Sequence, residues 1–348
     1  MSTKKDRKEQ GGKNMNKKFK LLLIAALSML LVLAGCGSSD TGKKDNGGNS
    51  NGKEEEKTYK IGVTQIVEHD SLNAAFEGFK KALEDQGLKV EYTVKNAQGD
   101  SNTNVTIGNE LASSDVDLIF ANSTPSAQAV LSNTKEIPIV FTSVTDPIGA
   151  ELVQSFENPG GNVTGTTDTH PDAIPNTVKF MTENFDVKNI GTIYNAGEQN
   201  SVAQINIIKD ALKGSDVNLV EKSVSTSADV KQAAESLVGS VDAIYIITDN
   251  TVVSALESVI SVSQDNDIPL FVGELDSVRK GGFAGYGFEY YDIGYEAGLM
   301  AAQILKGEKN PSELPVQYPQ NLKLLINKKA AAEMGVEIDD AWDAEIYE

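Results

Sequence analysis

The chain has 348 residues, 40% of them hydrophobic and 23% charged, enough for a sizeable core and for one large or two ordinary domains. Acidic residues outnumber basic ones 50 to 31, which argues against nucleic acid as a partner, because binding phosphates takes clustered Lys and Arg. The single cysteine, Cys36, excludes an intrachain disulfide and a cysteine-built metal site, and with only two histidines (His69, His170) and two arginines (Arg7, Arg279) the composition weighs against an enzyme that relies on several such side chains.

Lys17, Lys18 and Lys20 precede an apolar or small run from Leu21 to Leu33. As a helix it would be about 20 Å long, short for a roughly 30 Å hydrocarbon core but suited to a signal peptide. Leu33-Ala34-Gly35-Cys36 resembles the bacterial lipobox, in which the Cys thiol is lipidated and the peptide is cut just before it. Residues 1–35 are therefore expected to be a signal peptide, with Met15 as its natural start, and Cys36 the lipidated residue. The expected mature chain carries 23 basic and 48 acidic residues, a net charge of −25, so attachment to an anionic membrane must come through Cys36 rather than through surface charge. Residues 36–58 read as that cysteine and a solvated linker of Ser, Gly, Asn, Asp, Lys and Glu, spanning about 25 Å as a flexible coil.

From Tyr59 short apolar runs alternate with helical patterns, as in parallel βαβ units. Strands are predicted over Tyr59–Gln65, Leu88–Val94, Val116–Ala121 and Ile137–Phe141, with helices over Ser71–Gln86, Thr103–Ala112 and from Thr124, where Pro125 suits a first turn. The series then repeats. Strands are predicted over Asn189–Tyr194, Val217–Val224, Val241–Ile247 and Ile268–Val272, and helices over Ser201–Leu212, Ala228–Leu237 and Thr251–Ser263. Val116-Asp117-Leu118-Ile119-Phe120 answers Val241-Asp242-Ala243-Ile244-Tyr245, and Ile137-Pro138-Ile139 answers Ile268-Pro269-Leu270. The fold class is α/β: two doubly wound parallel-sheet domains with a ligand cleft between them, at the carboxyl ends of the strands.

The loops expected to line that cleft are rich in Ser, Thr, Asn and carboxylates and lead into helix N-termini, whose unpaired N–H groups favour an anion such as a ligand carboxylate. Candidate ligand-binding residues in the first domain are Glu68, His69, Ser71, Ser123, Thr124, Ser126, Ser143, Thr145 and Asp146; in the second they are Asn195, Asn200, Ser201, Asp249, Asn250, Thr251 and Asp276. Several could equally be helix caps. Asp249, at a strand's carboxyl end, is the first candidate to pair with a ligand ammonium, helped by Asn195 or Asp276; Asp146-Pro147 also reads as turn chemistry. Glu68-His69-Asp70-Ser71 contains the residue types of a hydrolase triad, but contiguous residues rarely converge as a triad does, so Ser71 is read as a cap and His69 as a residue at the cleft mouth. Neither a nucleophile elbow nor an ATP-binding Gly-rich loop occurs. Trp342 and the group Tyr286, Phe288, Tyr290 and Tyr291 are read as packing residues, the latter at a hinge.

Gln65-Ile66-Val67-Glu68-His69, Asn96-Ala97-Gln98-Gly99-Asp100, Phe141 to Pro147, Asn158 to Gly165 and Thr248-Asp249-Asn250-Thr251 together resemble a family of ABC-importer substrate-binding lipoproteins that includes tryptophan- and tyrosine-binding proteins. The likeness runs from about Tyr59 to Gly335; it departs at Asp70-Ser71, where relatives often have Pro and a small residue. It implies a type I periplasmic-binding-protein fold with three interdomain crossings, near Thr166–Pro171, Gly287–Tyr291 and Pro315–Gln320. Residues 59–168 with 290–317 would form the N-terminal lobe, and 169–289 with 318–348 the C-terminal lobe. The implied function is a lipid-anchored receptor on the extracytoplasmic face of the cell membrane. It would capture an aromatic amino acid by domain closure and deliver it to a permease and ATPase, as a monomer without metal or cofactor. Rival readings are a sugar or nucleobase receptor, a surface adhesin or sensing subunit, and a secreted hydrolase or lyase.

Overall fold

The computed structural model describes residues 57–348; the expected signal segment, Cys36 and the linker up to residue 56 lie outside the described residues. The first half builds β1 (Thr58–Gln65), α1 (Asp70–Asp85), β2 (Lys89–Asn96), α2 (Ser101–Ala112), β3 (Leu118–Asn122), α3 (Thr124–Leu131), β4 (Ile139–Val144) and β5 (Val163–Thr167). These strands form a parallel sheet in the order β2-β1-β3-β4-β5. β3 and β4 are buried at every position, as strands covered by helices on both faces must be, while β2, at the edge, is largely exposed. Phe120 of β3 stacks on Phe79 of α1 at 3.9 Å between ring centroids.

The second half follows with α4 (Ala173–Asn184), β6 (Asn189–Tyr194), α5 (Gln199–Ala211), β7 (Asn218–Ser223), α6 (Val230–Glu235), β8 (Ala243–Ile246), α7 (Asn250–Val253), α8 (Leu256–Asp265), β9 (Leu270–Val272), α9 (Leu275–Lys280) and β10 (Ala284–Gly287). The order β7-β6-β8-β9-β10 repeats that of the first sheet. Two strands extend it: β11 (Lys323–Asn327), antiparallel to β10, and β12 (Glu345–Tyr347), parallel to β11. The single helix expected over Thr251–Ser263 is broken. Ala255 leaves helical geometry, and Ser254 Oγ donates to the Thr251 carbonyl at 2.8 Å, a local bond that competes with the helix after a β-branched run.

The chain passes between the sheets three times: after β5, between β10 and α10 (Tyr290–Leu305), and between Gln317, which bridges to Thr166, and β11. α10 packs on α1 and against β4 and β5. Its approach to α1 is a backbone contact: a Cβ on Gly294 would stand 1.9 Å from the Ala75 carbonyl oxygen, and one on Gly78 would stand 2.0 Å from that of Tyr291. A side chain at either position would force the helices apart. β5, with the polar sequence VTGTT, is not among the expected strands yet is fully buried. Its hydroxyls are satisfied by the returning chain: Thr164 Oγ1 donates to the Leu314 carbonyl at 2.6 Å and Thr166 Oγ1 to that of Ile293 at 3.0 Å. Trp342 packs against Phe180 and Phe185, and its Nε1 donates to Asn184 Oδ1 at 3.0 Å. α11 (Lys328–Glu333) completes the second layer. No helix among the described residues is long and apolar enough to cross a membrane.

Candidate functional site

The carboxyl ends of both sheets face each other across a cleft whose floor is a small cavity of about 10 Å³, room for about one water molecule. Anything larger requires the lobes to part. The first-lobe side is lined by His69, Leu72 and Ser143, the second-lobe side by Asn200, Thr248, Asn250, Val253 and Glu274, and the crossings contribute Asp168 and Tyr290. A groove of about 490 Å³ opens outside it and shares Asn250; Asn195 and Thr251 line it, opposite Ile66, Val67 and Pro125.

On the first-lobe wall every group is neutral. His69 caps α1, its Nδ1 accepting from the Leu72 N–H at 3.4 Å, which leaves the ring proton on Nε2 as a donor. Burial lowers its pKa to about 4, against the opposing pull of the Asn250 side chain, so the imidazole is uncharged at neutral pH. Ser143 sits in β4 at φ 56°, in the left-handed region, where the register with β5 slips; its Oγ donates to Asn122 Oδ1 at 2.9 Å. Strain of this kind, held by the surrounding sheet, re-aims a side chain at a site. Ser123, at φ 111°, caps α3 through the Ser126 N–H, and Ser123, Thr124 and Ser126 are buried beside the cavity without lining it. Thr145 Oγ1 donates to Asp168 Oδ1 at 2.9 Å. Ser71 is fully buried and its Oγ has no hydrogen-bond partner.

The second-lobe wall is acidic. Glu198, Asp249 and Glu274 are buried, and no Lys or Arg among the described residues is. Asp249 is fully committed to its own chain, accepting from Ser201 Oγ at 2.6 Å, Asn195 N–H at 2.7 Å and Val252 N–H at 2.8 Å. Burial, and then the neighbouring Glu198 charge, push its pKa up. Glu198 accepts from Asn250 Nδ2 at 2.5 Å and Thr251 Oγ1 at 2.8 Å. Glu274 differs: Oε1 accepts from Ser277 Oγ at 2.6 Å, but Oε2 is buried without a partner. Burial pushes this carboxyl up to about 7, although the nearby Ser277 and Ser71 hydroxyls favour its charged form. Asp168, at the first crossing, accepts from Tyr290 Oη at 2.8 Å and is also raised by burial.

Three expected residues stand elsewhere. Asp276 is paired with Arg279 Nη1 at 3.0 Å and does not line the cavity, because two residues into α9 the helix has turned its side chain away from Glu274. Asp146 caps a turn, accepting from the Gly149 N–H at 2.8 Å, and faces Gln199 Nε2 at 3.5 Å. Glu68 is exposed, and exposed Asp70 reaches Lys280 of α9 at 3.5 Å. Asp168, Glu198, Glu274 and Tyr290 are the residues sequence reasoning missed. For Glu274 a signal existed: it is the first carboxylate after the strand Leu270–Val272.

The family model for ABC transporter substrate binding proteins matches residues 60–345. The chain is 42% identical over 319 residues to the tyrosine-binding protein of Clostridioides difficile (strain R20291), covering 90% of this chain and 91% of that relative. Two solved structures each cover 83% of this chain and 99% of their own. The ABC domain in complex with L-Trp from Streptococcus pneumonia has 32% identity and a TM-score of 0.78. The ligand-free, open structure of a substrate binding protein with adhesive properties from Clostridium difficile has 38% identity and a TM-score of 0.61. With the family model spanning both lobes and a relative 42% identical along nearly all of both chains, this chain belongs to the ABC transporter substrate-binding protein family.

Proposed function

We infer that the chain is the solute-capturing component of an importer, held to the outer face of the membrane by lipid on Cys36, and that its solute is an aromatic amino acid. Family membership makes it a small-molecule binder that works with membrane transporter components outside the cytoplasm. The observation that carries the finer reading is Glu274 Oε2, a carboxylate oxygen buried at the cavity wall with no partner. An uncompensated buried charge is costly, and an ammonium group satisfies it with charge-assisted hydrogen bonds. Asp168, across the same cavity, supplies the second acceptor. His69 Nε2–H and Ser143 Oγ–H, on the opposite wall, serve the ligand carboxylate. Asp249 then shapes the Thr248–Asn250 loop rather than touching the ligand, and Asn200 and Asn250 complete the second-lobe wall.

The two named relatives, one tyrosine-binding and one with L-Trp bound, support an aromatic side chain. On parting of the lobes, that ring would run between Leu72, Val253 and the Tyr290 ring toward the outer groove. The ligand favours the closed arrangement only through its contacts with both walls. The test is calorimetric titration of the body from Tyr59, denatured and refolded to strip carried-over solute, with tyrosine, tryptophan, phenylalanine, other amino acids, sugars and nucleosides. Tight binding confined to aromatic amino acids is expected; binding only of sugars or nucleosides would overturn the assignment. Metabolic labelling with a radioactive fatty acid should mark the intact chain and not its Cys36→Ser variant.

A further inference from the structure

A second sizeable cavity lies outside the cleft. It measures about 510 Å³ and lies behind the hinge, within the range of small-molecule sites. Its lining brings together three carboxylates, Glu289, Asp292 and Glu296, and three aromatic rings, Phe288, Tyr295 and Tyr318, with no Lys or Arg. Tyr318 is held in place by parallel stacking on Phe156, the centroids 4.4 Å apart and the planes within 4°.

The charges are unequal. Glu289 is matched from outside the cavity by Arg279 Nη2 at 2.5 Å and Lys323 Nζ at 3.2 Å. These two cations are themselves shared, Arg279 with Asp276 and Lys323 with Glu345. Asp292 and Glu296 have no cationic side chain of the described residues within 4 Å. The N-terminus of α10 accounts for an acid at Asp292, in its first turn. It does not account for Glu296, a turn further on and, like Asp292, exposed. No group of described residues is placed to hold a metal ion. Carboxylates that share one cavity with aromatic rings suit an organic cation, which gains Coulomb attraction and cation–π contact together.

We propose that this hinge cavity is a second binding site, for a small organic cation, and that its occupancy biases lobe closure. Part of the lining comes from two of the three crossings, Phe288–Glu289 and Gln317–Asn321, and the rest from α10 and Thr166 of β5, so its shape changes when the hinge turns. A ligand there has different contacts in the two arrangements, which is what coupling requires. A packed route also leads to the cleft. Phe288 stacks on Tyr290 at 5.7 Å, and Tyr290 donates to Asp168 at the cavity between the lobes.

The test titrates choline, and its neutral carbon isostere 3,3-dimethylbutan-1-ol, into the folded body followed by calorimetry and ligand-observed NMR. Choline is expected to bind at millimolar concentration or better and the isostere not to bind. The paired change Asp292→Asn with Glu296→Gln should weaken choline at least tenfold. Should the paired variant fail to fold, Tyr318→Ala alone should still weaken choline several-fold. Saturating choline should shift the affinity for the cleft ligand, with the reciprocal shift equal in factor. No choline binding, equal binding of the isostere, or full choline affinity in the folded paired variant would overturn the site; an unmoved cleft affinity would overturn the coupling.

Discussion

The two walls of the cleft differ in charge although they come from repeated halves of one fold. The first-lobe wall carries a neutral imidazole and hydroxyls; the second carries Glu198, Asp249 and Glu274 and no buried cation. A repeated topology therefore sets where a wall stands, and the residues just after each strand set what it prefers. A dipolar ligand lies one way round between such walls, its positive end on the acidic side, and touching both is what favours closure.

The largest effect should come from breaking the acidic wall's framework. Asp249→Ala leaves two buried N–H groups and the Ser201 hydroxyl without their acceptor, and should lower unfolding stability by about 3 kcal/mol in urea titrations. Glu274→Gln tests the ligand contact instead. It should weaken amino-acid binding by about 2 kcal/mol, read by calorimetry, while leaving stability without ligand unchanged or higher, since a buried charge is removed.

Titration sharpens the contrast further. Glu274, held near 7, and Asp249, also raised, keep protons in the folded state that the unfolded chain releases near the ordinary carboxylate values of 4.5 and 3.8. Stability from these groups is full below those values and lost as pH rises toward 7. His69, lowered to about 4 from 6.5, acts oppositely, because between those values the unfolded chain takes the proton. Asp168, also raised by burial, acts in the same direction, and these carboxylates outweigh one imidazole, so the ligand-free body should lose about 1.5 kcal/mol between pH 5 and 7. Thermal unfolding across that range measures it, and Glu274→Gln should flatten the slope. The smallest effect belongs to the neutral wall. His69→Asn keeps a capping acceptor for α1 but removes the Nε2 donor, and should cost about 1 kcal/mol of affinity with little change in stability.

The repeat was legible because strands such as Val116–Ala121 and Val241–Ile247 are continuous apolar runs between helical patterns, which long parallel sheets demand. The alternation of strands and helices in each half follows from that, whereas α4, α9, β10 and β12 were not among the expected elements. β5 was not legible, since Thr164 and Thr166 find carbonyl partners in Leu314 and Ile293, well over a hundred positions away. Asp168 went unseen with it, because a site residue found by its place after a strand needs the strand to be found. Asp249 and Asp276 were plausible on the same rule, and only side-chain direction separates them from Glu274. A cap and a ligand contact look alike in sequence; they differ in whether backbone N–H groups already occupy the carboxylate.

That unoccupied oxygen of Glu274 has a consequence for traffic at the membrane. Closing the lobes on nothing seals this carboxyl away from water and pushes its pKa up to about 7, so above neutral pH an empty receptor must take up a proton to hold the shape of a loaded one. A transporter that recognises the closed outline would then be shielded from docking vacant carriers, and each encounter that triggers its cycle would report cargo.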